Sequence, residues 1–218
     1  MSLPLLAYVF VVGACVGSFL NVCVYRWPEE QSVVRPPSRC PSCGTQLGWR
    51  DNVPIFGWIF LRGKCRHCGA AVSIQYPLVE LATALLWLGS ALRFGLSWRA
   101  AASAVFFTIL LGIALSDART YIIPDEFTLG GTAIGLAFAF APGTIGWKRA
   151  LLGAALGFGL LWLVAVLGKM AFRKEAMGGG DIKMMMMVGA FLGPVGVLLT
   201  VFLGALFGTI IFTPISLK

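Results

Sequence analysis

The chain has 218 residues, 58% hydrophobic and 12% charged, with a mean hydropathy of +0.87. A soluble domain needs far more polar surface, so the composition excludes one and reads as a polytopic membrane protein. The net charge of +8 fits Lys and Arg gathered into loops on one side of a membrane rather than a nucleic-acid surface.

The first apolar run covers residues 4–25 and is long enough to span a bilayer. No Lys or Arg precedes it and no small-residue cleavage site follows it. The expectation is a retained anchor, residues 1–25, not a removed signal peptide. Cys15 and Cys23 within it read as small buried apolar residues.

Residues 26–77 form the one extended polar segment, rich in Arg and expected in the cytosol. It contains Cys40-Pro-Ser-Cys43 and Cys65-Arg-His-Cys68. Each Cys-x-x-Cys forms a tight knuckle that places two thiolates on one side of a tetrahedron. Two knuckles complete a closed four-cysteine site suited to structural zinc. A reducing cytosol argues against two disulfides. His67, the single histidine, lies inside a knuckle and is expected to face solvent. Its isolation also excludes a His-x-x-x-His zinc protease and disfavours any histidine-based triad.

Residues 78–218 read as a membrane core. Apolar runs cover 78–94, 100–116, 127–146 and 150–168, and a last one begins after Lys183. Gly193-Pro194 interrupts that last run. The piece from Met184 to Leu192 is about 14 Å long as a helix, so it is a half-helix or the first part of a kinked span. Small-x-x-x-small spacings, such as Gly13/Gly17 and Gly153/Gly157, predict close helix packing. Glu80 is expected as a helix N-terminal acid favoured by the macrodipole. The resulting fold class is an all-α bundle of roughly six to seven transmembrane helices, with a small cytosolic zinc-knuckle domain inserted after the first.

Two carboxylates stand out. Asp117 follows Ile113-Ala114-Leu115-Ser116 at a helix C-terminus, where the dipole disfavours negative charge. Asp125 and Glu126 lie after Pro124, where a helix start explains them. Asp181 follows Gly178-Gly179-Gly180 at the mouth of an apolar helix. It reads equally as a helix cap or as a functional group. The loops 26–77, 117–126 and 169–183 together hold twelve of the seventeen Lys and Arg. They are assigned to the cytosol, with the N-terminus outside. Asp117 and Asp181 then share one membrane depth and can pair. Two carboxylates in a partly desolvated site titrate as a unit. The ionised member can activate water while the protonated member holds the substrate carbonyl, which is aspartic-protease chemistry. Gly178 and Gly180 let a substrate backbone approach. Lys183 either stabilises the site's charge or snorkels to the interface. No Ser–Lys pair stands out as a rival.

These residues carry a resemblance. Gly178-x-Gly180-Asp181 resembles the motif of intramembrane aspartyl proteases. The whole chain resembles the bacterial type IV prepilin peptidase family, leader peptidases that are also N-methyltransferases. Gly17-Ser18-Phe19-Leu20-Asn21-Val22 with Tyr25-Arg26 is similar to its N-terminal signature. The two knuckles, Asn52-Val53-Pro54 and Tyr76-Pro77-Leu78-Val79-Glu80-Leu81 are similar to its cytosolic segment. Asp117 with Ile123-Pro124-Asp125, and Met177 to Lys183, are similar to its two aspartate motifs. The resemblance implies removal of a short basic leader from prepilins and pseudopilins after a glycine. Methylation of the new N-terminal residue from S-adenosylmethionine follows. It implies Asp117 and Asp181 as the catalytic pair, in the bacterial inner membrane. The S-adenosylmethionine-binding residues and the oligomeric state are left unassigned, and no nucleic-acid partner is expected. The family usually has about two further helices after its second motif. Here either a final helix lies outside the chain or the bundle is shorter. Two alternatives stay open: a peptidase without methyl transfer, and a non-enzymatic transporter or ion relay with a zinc docking module.

Overall fold

The computed structural model describes residues 2–174 and 177–216. Among them are seven α-helices: α1 (Leu3–Arg26), α2 (Phe56–Phe60), α3 (Gln75–Phe94), α4 (Trp98–Thr120), α5 (Asp125–Phe138), α6 (Trp147–Phe172) and α7 (Gly179–Ser216). No strand occurs among these residues; two isolated antiparallel bridges, Arg39 with Gln46 and Lys64 with Ala71, close the knuckles. Five helices are long and apolar enough to cross a membrane: α1, α3, α4, α6 and α7. Contacts divide the chain into two units, residues 1–124 and 125–218.

In the first unit α1 packs on α3 and α4. Glycine makes this possible, because a Cβ on Gly13 would lie 2.8 Å from the Ala84 Cα and one on Gly17 would lie 2.7 Å from the Glu80 Cα. The predicted Gly-x-x-x-Gly stripe is thus a backbone-to-backbone seam. The Trp87 Nε1–H donates to the Thr108 hydroxyl at 3.0 Å and joins α3 to α4. Ser97 caps α4, its hydroxyl accepting the Ala100 N–H at 3.2 Å. Cys23 is buried as expected, whereas Cys15 is exposed on the outer face of α1.

Glu80 departs from expectation. Helix α3 begins at Gln75, so Glu80 is its sixth residue, beyond the turn where the dipole favours an acid. The residue is buried, and its carboxylate accepts the Ile55 N–H at 2.6 Å. Ile55 sits at φ 64°, ψ −56°, and the Phe56 N–H donates to the Pro54 carbonyl at 2.6 Å. This is a three-residue turn of the strained kind. A membrane helix therefore grips the polar segment between α1 and α3 through a buried carboxylate.

In the second unit α6 and α7 pack closely, and α5 lies on α7. Gly153 faces the Gly189 backbone and Gly157 faces the Met185 carbonyl so closely that neither could carry a Cβ. Helix α7 breaks at Gly193, whose φ of 73° and ψ of −176° are not helical. The Met184 to Leu192 piece is the first part of this kinked element. Helix α5 stops at Phe138, short of the expected 127–146. Pro142 and Gly143 turn the chain, and the Thr144 hydroxyl donates to the Phe138 and Ala141 carbonyls at 3.0 and 2.8 Å. Those bonds satisfy carbonyls at the helix end. Its 14 residues give about 21 Å, less than an apolar bilayer core of about 30 Å.

Candidate functional site

The knuckles are two copies of one backbone turn. In the first, the Cys40 N–H donates to the Thr45 carbonyl and the Gly44 N–H to the Cys40 carbonyl, both at 2.9 Å. In the second, the Cys65 N–H donates to Ala70 at 2.8 Å and the Gly69 N–H to Cys65 at 3.0 Å. Gly44 and Gly69 each have φ of +71°, a region open to glycine. The four sulfur atoms lie within 4.8 Å of one another, and Cys40 and Cys68 are 3.8 Å apart. A tetrahedral ion with metal–sulfur bonds of about 2.3 Å places its sulfurs about 3.8 Å apart. The four cysteines therefore fit a metal site, and His67 is exposed outside it. The Thr45 hydroxyl and the Thr45 N–H draw the Cys43 pKa down to about 6. At Cys68 the Ala70 N–H acts in the same direction. Desolvation and the other three sulfurs outweigh it and push that thiol up to about 11. The strain of charging four adjacent thiols is what a bound dication relieves.

Asp51 braces this segment. Its carboxylate accepts the Arg66 Nε–H at 2.8 Å and the Gly48 N–H at 3.2 Å. Burial works to raise its pKa, but the Arg66 and Gly48 bonds prevail and hold it below 3.8.

Asp117 lies in the last full turn of α4 and is exposed. The helix ends just beyond, where Tyr121 adopts φ 56° and donates its N–H to the Asp117 carbonyl at 2.8 Å. Two residues on, the Arg119 guanidinium lies over the Tyr25 ring, 3.7 Å from its centroid. Tyr25 in turn stacks on Tyr76, with centroids 5.6 Å apart and planes 9° from parallel. The Asn21 side-chain N–H fixes the Tyr76 carbonyl at 3.1 Å. Neither this column nor a role for Arg119 is visible in composition or spacing, because its members come from three separate helices. The one available signal is an Arg two residues after a suspect Asp.

Asp181 lies in the first turn of α7 and is half-buried. Its carboxylate folds back over Gly178, where a Cβ would meet the Asp181 Oδ2 at 3.2 Å. Gly179 has open space around it, and Gly180 belongs to the helix. The Lys183 ammonium does not reach solvent alone. It donates to both carboxylate oxygens of Asp125 at 2.7 and 2.8 Å, tying α7 to the start of α5 within the second unit. Asp125 is thus the partner that sequence reasoning passed over as a cap. Asp117 belongs to the first unit and Asp181 to the second.

Comparison with known proteins matches two family models to the chain. Residues 11–94 match the bacterial peptidase A24 N-terminal domain, and residues 104–213 match the type IV leader peptidase family. The chain is 44% identical over 87% of its length to a Myxococcus xanthus protein named prepilin leader peptidase/N-methyltransferase, and spans 57% of that protein. Proteins of the same name from Xanthomonas campestris and Neisseria gonorrhoeae are 35% and 33% identical over 92% and 96% of the chain. The chain spans 78% and 80% of those two. No solved structure matches it. With both halves matched in order, and with the knuckles and both aspartates inside the matched segments, this membrane chain belongs to the type IV leader peptidase family.

Proposed function

We propose that the chain is a membrane aspartyl endopeptidase that cuts the short basic leader from prepilins and pseudopilins after a glycine, with Asp117 and Asp181 as its catalytic pair. It then methylates the new N-terminal residue. One observation carries the pair, which is how the structure sorts the four aspartates of the chain. Arg66 holds Asp51 and Lys183 holds Asp125. Among the described residues no ion pair reaches Asp117 or Asp181, so these two carboxylates are the ones left for acid–base work. Both stand at the ends of helices long and apolar enough to cross the membrane.

The reaction needs only these two groups and water. One carboxylate, ionised, takes a proton from water as the oxygen adds to the scissile carbonyl carbon. The other, protonated, gives its proton to the carbonyl oxygen, and a neutral tetrahedral diol results. The first then protonates the leaving nitrogen while the second takes a proton from the diol. The carbon–nitrogen bond breaks, and each carboxylate regains its starting state. Gly178 keeps the Asp181 carboxylate unobstructed. S-adenosylmethionine supplies the methyl group for the second reaction.

The ion at the four cysteines is zinc in a structural role, with Cys40, Cys43, Cys65 and Cys68 as ligands. In function the chain divides into an anchor (1–25), a zinc domain (26–77) and a protease core (78–218). It resides in the bacterial cytoplasmic membrane with its N-terminus outside. The knuckles and both aspartates face the cytosol, where the basic leader lies.

Cleavage of a prepilin by purified wild type, Asp117→Asn and Asp181→Asn tests the reading. Each single variant is expected to lose cleavage while keeping its fold and its metal. Full processing by both would sink the assignment. Mass spectrometry of the cut pilin checks the methyl group separately, and an unmethylated N-terminus with donor present reduces the enzyme to a peptidase.

A further inference from the structure

Asp117 occupies an awkward place. It adds a negative charge to the C-terminal end of α4, where the carbonyl dipoles already point. Helix ends fray, and this one ends in a non-glycine residue with φ of 56°. Something must hold that turn if the carboxylate is to keep a fixed direction.

We propose that Arg119 is a positioning residue for the reaction, acting through the Tyr25–Tyr76 column to fix the last turn of α4 and so aim Asp117. This rests on the reading of Asp117 as catalytic. Side chains two apart on a helix leave it about 200° apart. Arg119 is drawn toward α1 and the turn that follows it, where its guanidinium covers Tyr25 at 3.7 Å and its Nη2 lies 4.0 Å from the Glu29 carboxylate. Asp117 therefore points away from α1, and it is exposed. The column is anchored at its far end. Tyr25 and Tyr76 are nearly parallel, and the Tyr76 carbonyl is bonded to Asn21 of the buried α1 face. Arg119 is also the one basic residue in the last turn of α4, where a cation offsets the dipole. A planar guanidinium stacks on a ring in a way an ammonium does not.

The test is steady-state cleavage of a prepilin by Arg119→Ala, Arg119→Lys, Tyr25→Leu and Tyr25→Phe, beside Asp117→Asn. Misplacing a catalytic group by about 1 Å costs on the order of 100-fold in rate. Arg119→Ala and Tyr25→Leu are each expected to lower kcat by about 10- to 100-fold with KM unchanged. Tyr25→Phe keeps the ring and is expected to stay within about threefold of wild type. Arg119→Lys keeps the charge and loses the plane, so it falls short of wild type. The double variant Arg119→Ala/Tyr25→Leu is expected to be no slower than the worse single, because both remove one column. Metal content and melting temperature follow folding independently of rate. If Asp117→Asn is inactive and both Arg119→Ala and Tyr25→Leu turn over like wild type, or if Arg119→Lys is fully active, the column has no positioning role. If Asp117→Asn still cleaves, the underlying reading has failed instead.

Discussion

Lys183 and Asp125 hold each other through both carboxylate oxygens, at 2.7 and 2.8 Å, across 58 residues of sequence. The lysine of the Gly-Asp-Ile-Lys stretch is therefore committed to the aspartate that follows Pro124, and Asp181 is not its partner. The two side chains are 36% and 53% exposed, so solvent screens the pair and it stabilises the second unit by ~1 kcal/mol or less. Lys183→Met and Asp125→Asn should each shift the melting temperature only slightly. Each should keep at least about a tenth of wild-type cleavage, and the double variant should be no worse than either single. Purified variants assayed on one prepilin check this, and an Asp125→Asn protein as dead as Asp181→Asn would show that Asp125 takes part in the chemistry.

Gly178 and Gly179 look alike in the sequence and differ in space. A methyl group on Gly178 would press on the Asp181 Oδ2 at 3.2 Å, whereas one on Gly179 would meet nothing within 4 Å. Gly178→Ala should turn the carboxylate and lower kcat by about 10- to 100-fold. Gly179→Ala should cleave within about threefold of wild type and gain slightly in helix stability. Comparing the two variants at saturating substrate separates a crowded carboxylate from a general need for glycine.

The membrane segments, the knuckles and the helix-end positions of Asp117 and Asp181 are legible because each leaves a local mark. A helix shows its apolar length, a knuckle its Cys-x-x-Cys, and Asp117 its place at the wrong end of a dipole. What stayed hidden depends on partners far apart in the chain. Arg119 finds Tyr25 at a separation of 94 residues and Lys183 finds Asp125 at 58, and no periodicity links either pair. Glu80 departs from the first-turn expectation for a narrower reason. The run of apolar residues begins at Leu78, but the helix begins at Gln75, and those three residues move Glu80 out of the first turn. Helix α5 ended early because the Thr144 hydroxyl takes up carbonyls that a longer helix would have used.

Glu80 is the buried latch between α3 and the knuckle-bearing segment that precedes it. Its carboxylate satisfies the N–H of Ile55, a residue whose backbone is strained. Glu80→Ala leaves a donor without its partner, a loss of about 1–3 kcal/mol. Glu80→Gln keeps an acceptor and should cost less. Limited proteolysis between residues 27 and 74 reads the effect, with cutting expected faster in Glu80→Ala than in Glu80→Gln. Equal protection of both variants and wild type would mean that other contacts suffice to seat the loop.

Removing the metal should unfold this loop and leave the helices standing. Among residues 27–74 only Cys40, Gly57, Gly63 and Cys65 are buried, so two of the four clustered cysteines form much of what core the segment has. Phe56, Ile59 and Phe60 are exposed and contribute little there. A segment without its own apolar core depends on a cross-link, and the four clustered cysteines are placed to supply one through a metal. Chelation, or Cys65→Ser, should release the ion and open residues 38–74 to protease, while circular dichroism keeps most of its helical signal. Acid should act in the same direction, because the ligands are thiolates and protonation competes with the ion. The sign follows from the thiols: their charged form is lost as pH falls, so metal retention weakens toward low pH and strengthens toward neutral. Elemental analysis after dialysis across that range measures the loss directly. A loop that remains protease-resistant with its metal stripped would show that Glu80 and the Asp51–Arg66 pair are enough to hold it.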